Sequence, residues 1–431
     1  MATTWKNWAQ NQTAHPLSIS QPQSVPEVAQ VVALAAQRAE TVKVVGSGHS
    51  FTGAAATYGR LLRIDALQGI RSIDREKLQV TVGAGTTLNA LNRLLHAEGL
   101  AMANLGDIAY QTLAGAISTS THGTGTALTG LAAQIVSLTL VTAEGEVLTC
   151  SAQENPLIFE MARVSVGALG IIVECTIQVV PAFRLRASEA PFTLDSLLPQ
   201  IHELAAEHDH FEFFWIPHTR WALTKRNNRT LDPLDPLPPV KGWISKTFME
   251  NYAFGALCTI GKLKPSLIPR LATALPSSGS REYVNDSFKI FASPRLVKFY
   301  EMEYAIPSTA VVPALQELRS MIERKGYLLN FPVEVRFTKH DDVPLSTSYG
   351  RDSAYIAVHI FKGMESEPFF RDVESIMKEH TGRPHWGKMH FQTAEQLNVL
   401  YPRFNDFLQV RHQLDPTRMF ANDYTRQVFG E

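Results

Sequence analysis

Apolar residues recur at helical spacing over 26–40, where Val28, Val31, Val32, Ala35 and Ala36 share one face and Ser24 is placed to cap the first turn. This predicts an amphipathic helix feeding a short apolar strand at 41–45. Strands are predicted over 60–65 and 78–82, a helical run over 88–95, and a hairpin of 135–142 with 146–151 closed at Ala143-Glu144-Gly145. After Pro181 the pattern changes. The aromatic stretch 210–217 reads as a strand, and 231–239 is too rich in proline for a regular helix or a central strand. Strands at 302–306, 331–337 and 355–361 alternate with helices at 314–325 and 369–379, which predicts a sheet covered by helices on one face. The class is α+β.

Two glycine-rich stretches break this pattern. The first, Val44-Val45-Gly46-Ser47-Gly48-His49-Ser50-Phe51, follows the 41–45 strand directly. Glycine permits left-handed backbone and close approach, so successive N–H groups can converge on a pyrophosphate with His49 beside it. The second combines Asn104-Leu105-Gly106-Asp107 with Leu113-Ala114-Gly115-Ala116-Ile117-Ser118-Thr119-Ser120-Thr121-His122-Gly123-Thr124-Gly125. So little bulk lets a flat ring lie on bare backbone while hydroxyls and amides bond phosphate or ribityl oxygens. A Rossmann fingerprint is excluded, because its third glycine would fall at Phe51 and no long amphipathic helix follows.

Together these stretches resemble the vanillyl-alcohol-oxidase-type (PCMH) FAD-binding module, and within it the sugar-lactone oxidoreductase branch of gulonolactone, arabinonolactone and galactonolactone enzymes, with the related alditol oxidases. The resemblance implies a two-part FAD-binding domain at 1–183, a substrate-binding cap domain at 184–384, and a C-terminal segment, 385–431, returning to the flavin. Where the family has the loop histidine, it is tethered covalently to the flavin 8α-methyl carbon, which implies such a link at His49. By the same match Val45, Gly46, Ser47, Gly48 and Ser50, with Gly106, Gly115, Ser118, Thr119, Thr121, His122 and Gly123, would hold FAD. Gly170 and Ile172, in a segment similar to the family's adenine-end lining, would complete the cradle.

Glu334-Val335-Arg336 lies in a strand pattern, so both charges project from one face. They form either a surface ion pair or, as the resemblance to alditol oxidases implies, a substrate-binding pair, an acceptor beside a multi-donor fork. His359 faces away from apolar Val358 and Ile360. It is either structural or, as the family match implies, a cavity imidazole able to bond the reacting hydroxyl or take its proton. Phe361 stands where alditol oxidases carry a hydroxyl residue, which points to a flatter, less polar substrate. The match makes Lys388 the cation beside the flavin N1–C2=O edge, where reduction places negative charge. It also makes Gly106 a position open to molecular oxygen, with Asp107 beside the substrate. His380, His385 and His390 are spaced by five, which does not put them on one helical face, and no metal site is expected.

The resulting expectation is FAD-dependent oxidation of the C2 hydroxyl of an aldono-1,4-lactone, L-gulono-1,4-lactone first, to a 2-keto lactone that tautomerises to an ascorbate-type enediol. Oxygen or a cytochrome- or dye-type acceptor would take the electrons, and His359, Glu334 or water the proton. Oxidation of open-chain alditols is the alternative. A flavin- or sugar-binding protein without catalysis is disfavoured, since Glu334, Arg336, His359 and Lys388 are all present.

Composition narrows the partners. Over 431 residues the net charge is -1, with no basic stripe, which points away from nucleic acid and anionic membrane surfaces. Cys150, Cys175 and Cys258 are odd in number and follow no metal or redox spacing, so a reducing cytoplasm is expected. The start lacks a signal-peptide pattern, and Glu174 interrupts the longest apolar stretch, 168–183, so no membrane span is expected.

Overall fold

In the computed structural model, which describes residues 4–273, 279–293 and 295–430, the first part of the chain forms two main sheets beside two short two-stranded ones. Parallel strands Ser18–Ser20, Arg60–Arg63 and Val42–Val45 make one of them. The other is antiparallel, ordered Val147–Ser151, Ile135–Val141, Ile171–Gln178, Gln79–Gly83, Ile70–Asp74. The first helix, Val25–Gln37, is capped as its sequence implies, with Ser24 Oγ accepting from the Glu27 N–H at 3.4 Å. It buries Val28, Val32 and Ala35, whereas Ala36 is exposed, because the contact stripe is narrower than the apolar pattern.

The later part forms an eight-stranded sheet ordered Arg281–Asp286, Arg184–Thr193, Trp221–Thr230, His210–Trp215, Val333–Thr338, Ser353–Phe361, Phe299–Pro307, Arg383–Pro384. Alternation divides its faces. Phe211, Phe213, Val335, Phe337, Ile356, Val358, Met302 and Tyr304 pack under helices Ile201–Glu207, Val311–Lys325 and Glu367–Glu379. Between them in sequence lie Glu212, Glu334, Arg336, His359, Glu301 and Glu303, which the pleat turns to the opposite face. A predominantly apolar face and a charged face on one sheet are what position the site.

The C-terminal helices Ala394–Leu400, Phe404–Leu414 and Asp423–Phe429 pack into the core of the first part, together with Trp386. So do Val343 and Leu345, from a loop inside the 184–384 segment, where Trp386 Nε1 donates to the Leu345 carbonyl at 2.7 Å.

Several elements lie where the hydrophobic pattern indicated none: strands Arg184–Thr193, Trp221–Thr230 and Arg281–Asp286, and a helical run over 239–263. Pro191 is tolerated inside a strand because the neighbouring strand ends opposite Glu189, leaving that edge open.

Candidate active site

The 44–51 loop leaves its strand and turns against the start of helix Leu113–Ser118. Gly46 allows this approach, since a Cβ there would collide with Thr112 Oγ1, and Gly48 adopts φ +68°. None of the backbone N–H groups from Gly46 to Ser50 has a protein acceptor among the described residues. Consecutive unpaired amides beside a groove suit an anionic ligand. That groove, about 120 Å³, is lined by Val45, Gly46, Ser47, Gly48, His49 and Ser50, by Gly115, Ser118 and Thr119, and by Gly170 and Ile172. The residues present therefore fit the pyrophosphate and adenine end of FAD.

The groove meets a larger cavity of about 600 Å³ at Gln111, which lines both. Gly106, Asp107, Thr121, His122, Glu334, Arg336, His359 and Lys388 line the cavity, so residues far apart in sequence come together. Gly123 lines neither space. It lies behind the wall, where a Cβ would collide with Asn104 and the Leu105 carbonyl.

His49 sits where groove and cavity approach, stacked on Trp8 at 5.4 Å and on Tyr110 at 6.3 Å between ring centroids. Burial, and then the Lys388 charge, lower its pKa to about 4, so its imidazole is neutral near pH 7. Lys388 is held against Glu301. Its backbone is fixed by the Lys388 N–H bond to the His385 carbonyl at 2.9 Å, and the Phe51 N–H donates to the adjacent Gly387 carbonyl at 2.7 Å. Burial opposes its charge, but Glu301 and Glu303 outweigh burial and raise the Lys388 pKa.

Arg336 is held on three sides, by Glu212 at 2.8 Å, Glu334 at 2.5 Å and Asp107 at 3.4 Å. These contacts use Nε and Nη2; Nη1 has no protein partner among the described residues. Asp107 is also paired with Arg295 at 2.6 Å, and the two arginines overcome burial to hold its carboxyl well below the usual range. Glu334 differs. Burial dominates, Arg336 offsets only part of it, and Asp107 and Glu212 add repulsion, so its pKa rises to about 7.

His359 Nδ1 lies 3.1 Å from the Pro332 carbonyl and Nε2 lies 3.5 Å from Glu301. Both ring nitrogens face acceptors, and although burial opposes the charge, Glu301 raises the pKa.

Glu301 and Glu303 are site residues the sequence reading missed. They share a strand face at a spacing of two, the signal that singled out Glu334 and Arg336, but the predicted strand began at 302. Glu303 bonds His122 Nε2 at 3.2 Å, and His122 stacks on Tyr355 with ring centroids 3.5 Å apart. Burial disfavours the Glu303 charge, yet His122 and Lys388 keep it well below the usual carboxylate range. His385 joins this group within 4.8 Å, and burial lowers its pKa to about 3. His380 and His390 lie apart from it, bonded to Glu317 at 3.3 Å and Tyr424 at 2.8 Å.

Comparison with known proteins identifies the family. Residues 16–151 match the FAD binding domain and residues 175–428 match the D-arabinono-1,4-lactone oxidase family. The chain is 44% identical to an L-gulono-1,4-lactone dehydrogenase of Mycobacterium tuberculosis over 100% of both chains. It is 37% identical to the L-gulonolactone oxidase of Bos taurus over 99% of this chain and 98% of that one. Identity is 30% to a D-arabinono-1,4-lactone oxidase of Yarrowia lipolytica over 90% and 87%. A crystal structure of cholesterol oxidase from B. sterolicum superposes with a TM-score of 0.84 at 17% identity, covering 100% of this chain and 97% of that one, which establishes a shared fold. The chain belongs to the D-arabinono-1,4-lactone oxidase family and is an FAD-dependent oxidoreductase.

Proposed function

We propose that this enzyme oxidises the C2 hydroxyl of an aldono-1,4-lactone, with L-gulono-1,4-lactone as the leading substrate, to the 2-keto lactone and thence an ascorbate-type enediol. The observation carrying this reading is the Glu334–Arg336 pair on the cavity wall, one carboxyl that titrates near neutrality beside a guanidinium with a donor group to spare. An adjacent hydroxyl and carbonyl match that pair.

Oxidation removes a hydride from C2 and a proton from its hydroxyl. Bound FAD supplies the two-electron acceptor. Arg336 Nη1 donates to the lactone carbonyl oxygen and so orients C2. Glu334 takes the hydroxyl proton; His359, with both nitrogens facing acceptors, serves as a fixed donor or positive charge. Lys388, with Glu301 holding it, supplies positive charge where electron density accumulates. The neutral His49 imidazole has the free electron pair needed for covalent attachment to the flavin. Residues 46–50, 115, 118–119, 170 and 172 hold the rest of the cofactor.

Oxygen or a cytochrome- or dye-type acceptor closes the cycle, with Gly106 on the oxygen path. The buried free thiols of Cys150, Cys175 and Cys258 suit a reducing cytoplasm. A panel of lactones and alditols, assayed with both oxygen and a dye, tests the proposal. Turnover of alditols in preference to every lactone would refute it.

A further inference from the structure

The helical run over 239–263 packs its inner side on the cavity: Glu250, Asn251 and Phe254 line the space, and Glu250 reaches Arg295 at 3.4 Å. Its outer side carries an apolar row. Val240, Ile244, Phe248, Tyr252, Ala256 and Ile260 recur at every fourth position and are all exposed, and Leu263, 81% exposed, extends the row.

The backbone keeps this row on one face. In an α-helix with 3.6 residues per turn, every fourth residue runs ahead of a full turn, whereas in the wider π-turns of Trp243–Ala253 it falls short. The opposite drifts offset each other. Trp243, Phe248 and Tyr252 accordingly form a continuous aromatic series, with ring centroids 6.0 and 6.5 Å apart.

A contiguous apolar row left on the surface marks an interaction site. Charge identifies the occupant. Residues 239–273 contain Lys241, Lys246, Lys262, Lys264 and Arg270 against a single acid, Glu250, which is turned inward to Arg281 and Arg295. Lys262 adjoins a further group: desolvation, and then Lys298, Lys6 and Lys262, lower the pKa of Lys362. Two copies docked through this face would bring lysines against lysines. An anionic bilayer accepts both the apolar row and the lysines, with aromatic rings at headgroup depth.

We propose that the 239–263 helix is an interfacial anchor that lays the enzyme on anionic lipid, with the cavity rim at Met249 facing the bilayer surface. No helix among the described residues is long and apolar enough to cross a membrane, so the contact is peripheral. The near-zero net charge of the chain conceals it, since the basic excess is confined to one segment.

Co-sedimentation of the full-length FAD-loaded enzyme with vesicles tests this, comparing phosphatidylcholine alone with a phosphatidylcholine and phosphatidylglycerol mixture. Binding to the anionic vesicles is expected, weakening as salt rises. Phe248→Ser with Leu263→Ser should abolish it, and Lys241→Glu with Lys264→Glu should weaken it by roughly tenfold or more. Both pairs should keep lipid-free dye-coupled turnover and thermal stability. Wild-type enzyme left in the supernatant with anionic vesicles would overturn the proposal. So would unchanged binding of the lysine pair, which stands as a test even if the apolar pair does not fold. A lipid-free dimer in sedimentation velocity, broken by Phe248→Ser with Leu263→Ser and accompanied by no vesicle binding, would assign the face to a second copy instead.

Discussion

Glu301 stands directly opposite His359 in the paired strands Phe299–Pro307 and Ser353–Phe361, with its Oε1 3.5 Å from His359 Nε2, and the same carboxylate holds Lys388. One buried carboxylate therefore holds both an imidazole and an ammonium that line the cavity. Glu301→Gln is expected to lower the His359 pKa, because the opposing charge that raises it is gone. Imidazole titration by NMR in the two proteins measures this; an unmoved His359 would mean that Glu301 does not govern its charge. Loss of Lys388's partner should also cost about 3 kcal/mol of stability, as for a broken buried ion pair, in urea unfolding.

Altering the proposed substrate pair should impair catalysis. Glu334→Gln and Arg336→Lys are each expected to lower kcat/KM by a factor of order 10², roughly 3 kcal/mol of transition-state stabilisation. Steady-state kinetics on L-gulono-1,4-lactone decides the point, and near-normal turnover in both would leave an ion pair of structural importance only.

The pKa of about 7 at Glu334 gives a pH dependence of defined sign. A base must be ionised to accept a proton, so kcat/KM should rise with pH up to about 7 and then level, and Glu334→Gln should lack this limb. For stability the sign is reversed. A carboxyl with a raised pKa binds more protons folded than unfolded, so Glu334 disfavours the folded state increasingly as pH climbs from 4.5 to about 7. Urea midpoints across that range, compared with Glu334→Gln, report the difference.

Gly106→Ala should slow reoxidation of the reduced enzyme by oxygen at least roughly tenfold, about 1.4 kcal/mol on that barrier. The added Cβ would lie 3.0 Å from the His122 carbonyl oxygen, so the 121–123 backbone must yield slightly. Anaerobic reduction by lactone should change much less. Stopped-flow traces separate the half-reactions, and equal slowing of both would show a displaced His122 rather than a blocked oxygen path.

The proposed covalent attachment at His49 should make acid-precipitated enzyme yellow, and His49→Ala should release the colour to the supernatant. A colourless wild-type pellet would remove the link while leaving FAD binding through the 46–50 amides intact.

Local patterns carried much of the architecture. Ser24 and the apolar spacing after it specify a capped helix, Gly46 and Gly48 specify a loop that can close on Thr112 and turn left-handed, and Glu334 and Arg336 must share a face in any strand. The cap, the left-handed turn at Gly48 and the shared strand face each depend on residues within a few positions of one another, so the sequence alone determines them; the closure on Thr112 does not. Family motifs likewise assigned FAD and the lactone branch, because glycine and histidine at fixed spacing mark the loops.

What the sequence left undetermined depends on contacts between distant segments. Arg295 reaches Asp107 across 188 positions, and Glu303 reaches His122 across 181. Neither pair has a local signature, so the protonation of Glu334 and His359, set by the summed charges around them, appears only once the sheet closes on the 104–125 loops. The outer row of the 239–263 helix shows the same limit. An apolar face reads identically whether a core covers it or solvent does, and only the tertiary arrangement, by filling the inner side with the cavity wall, decides which face is left outside.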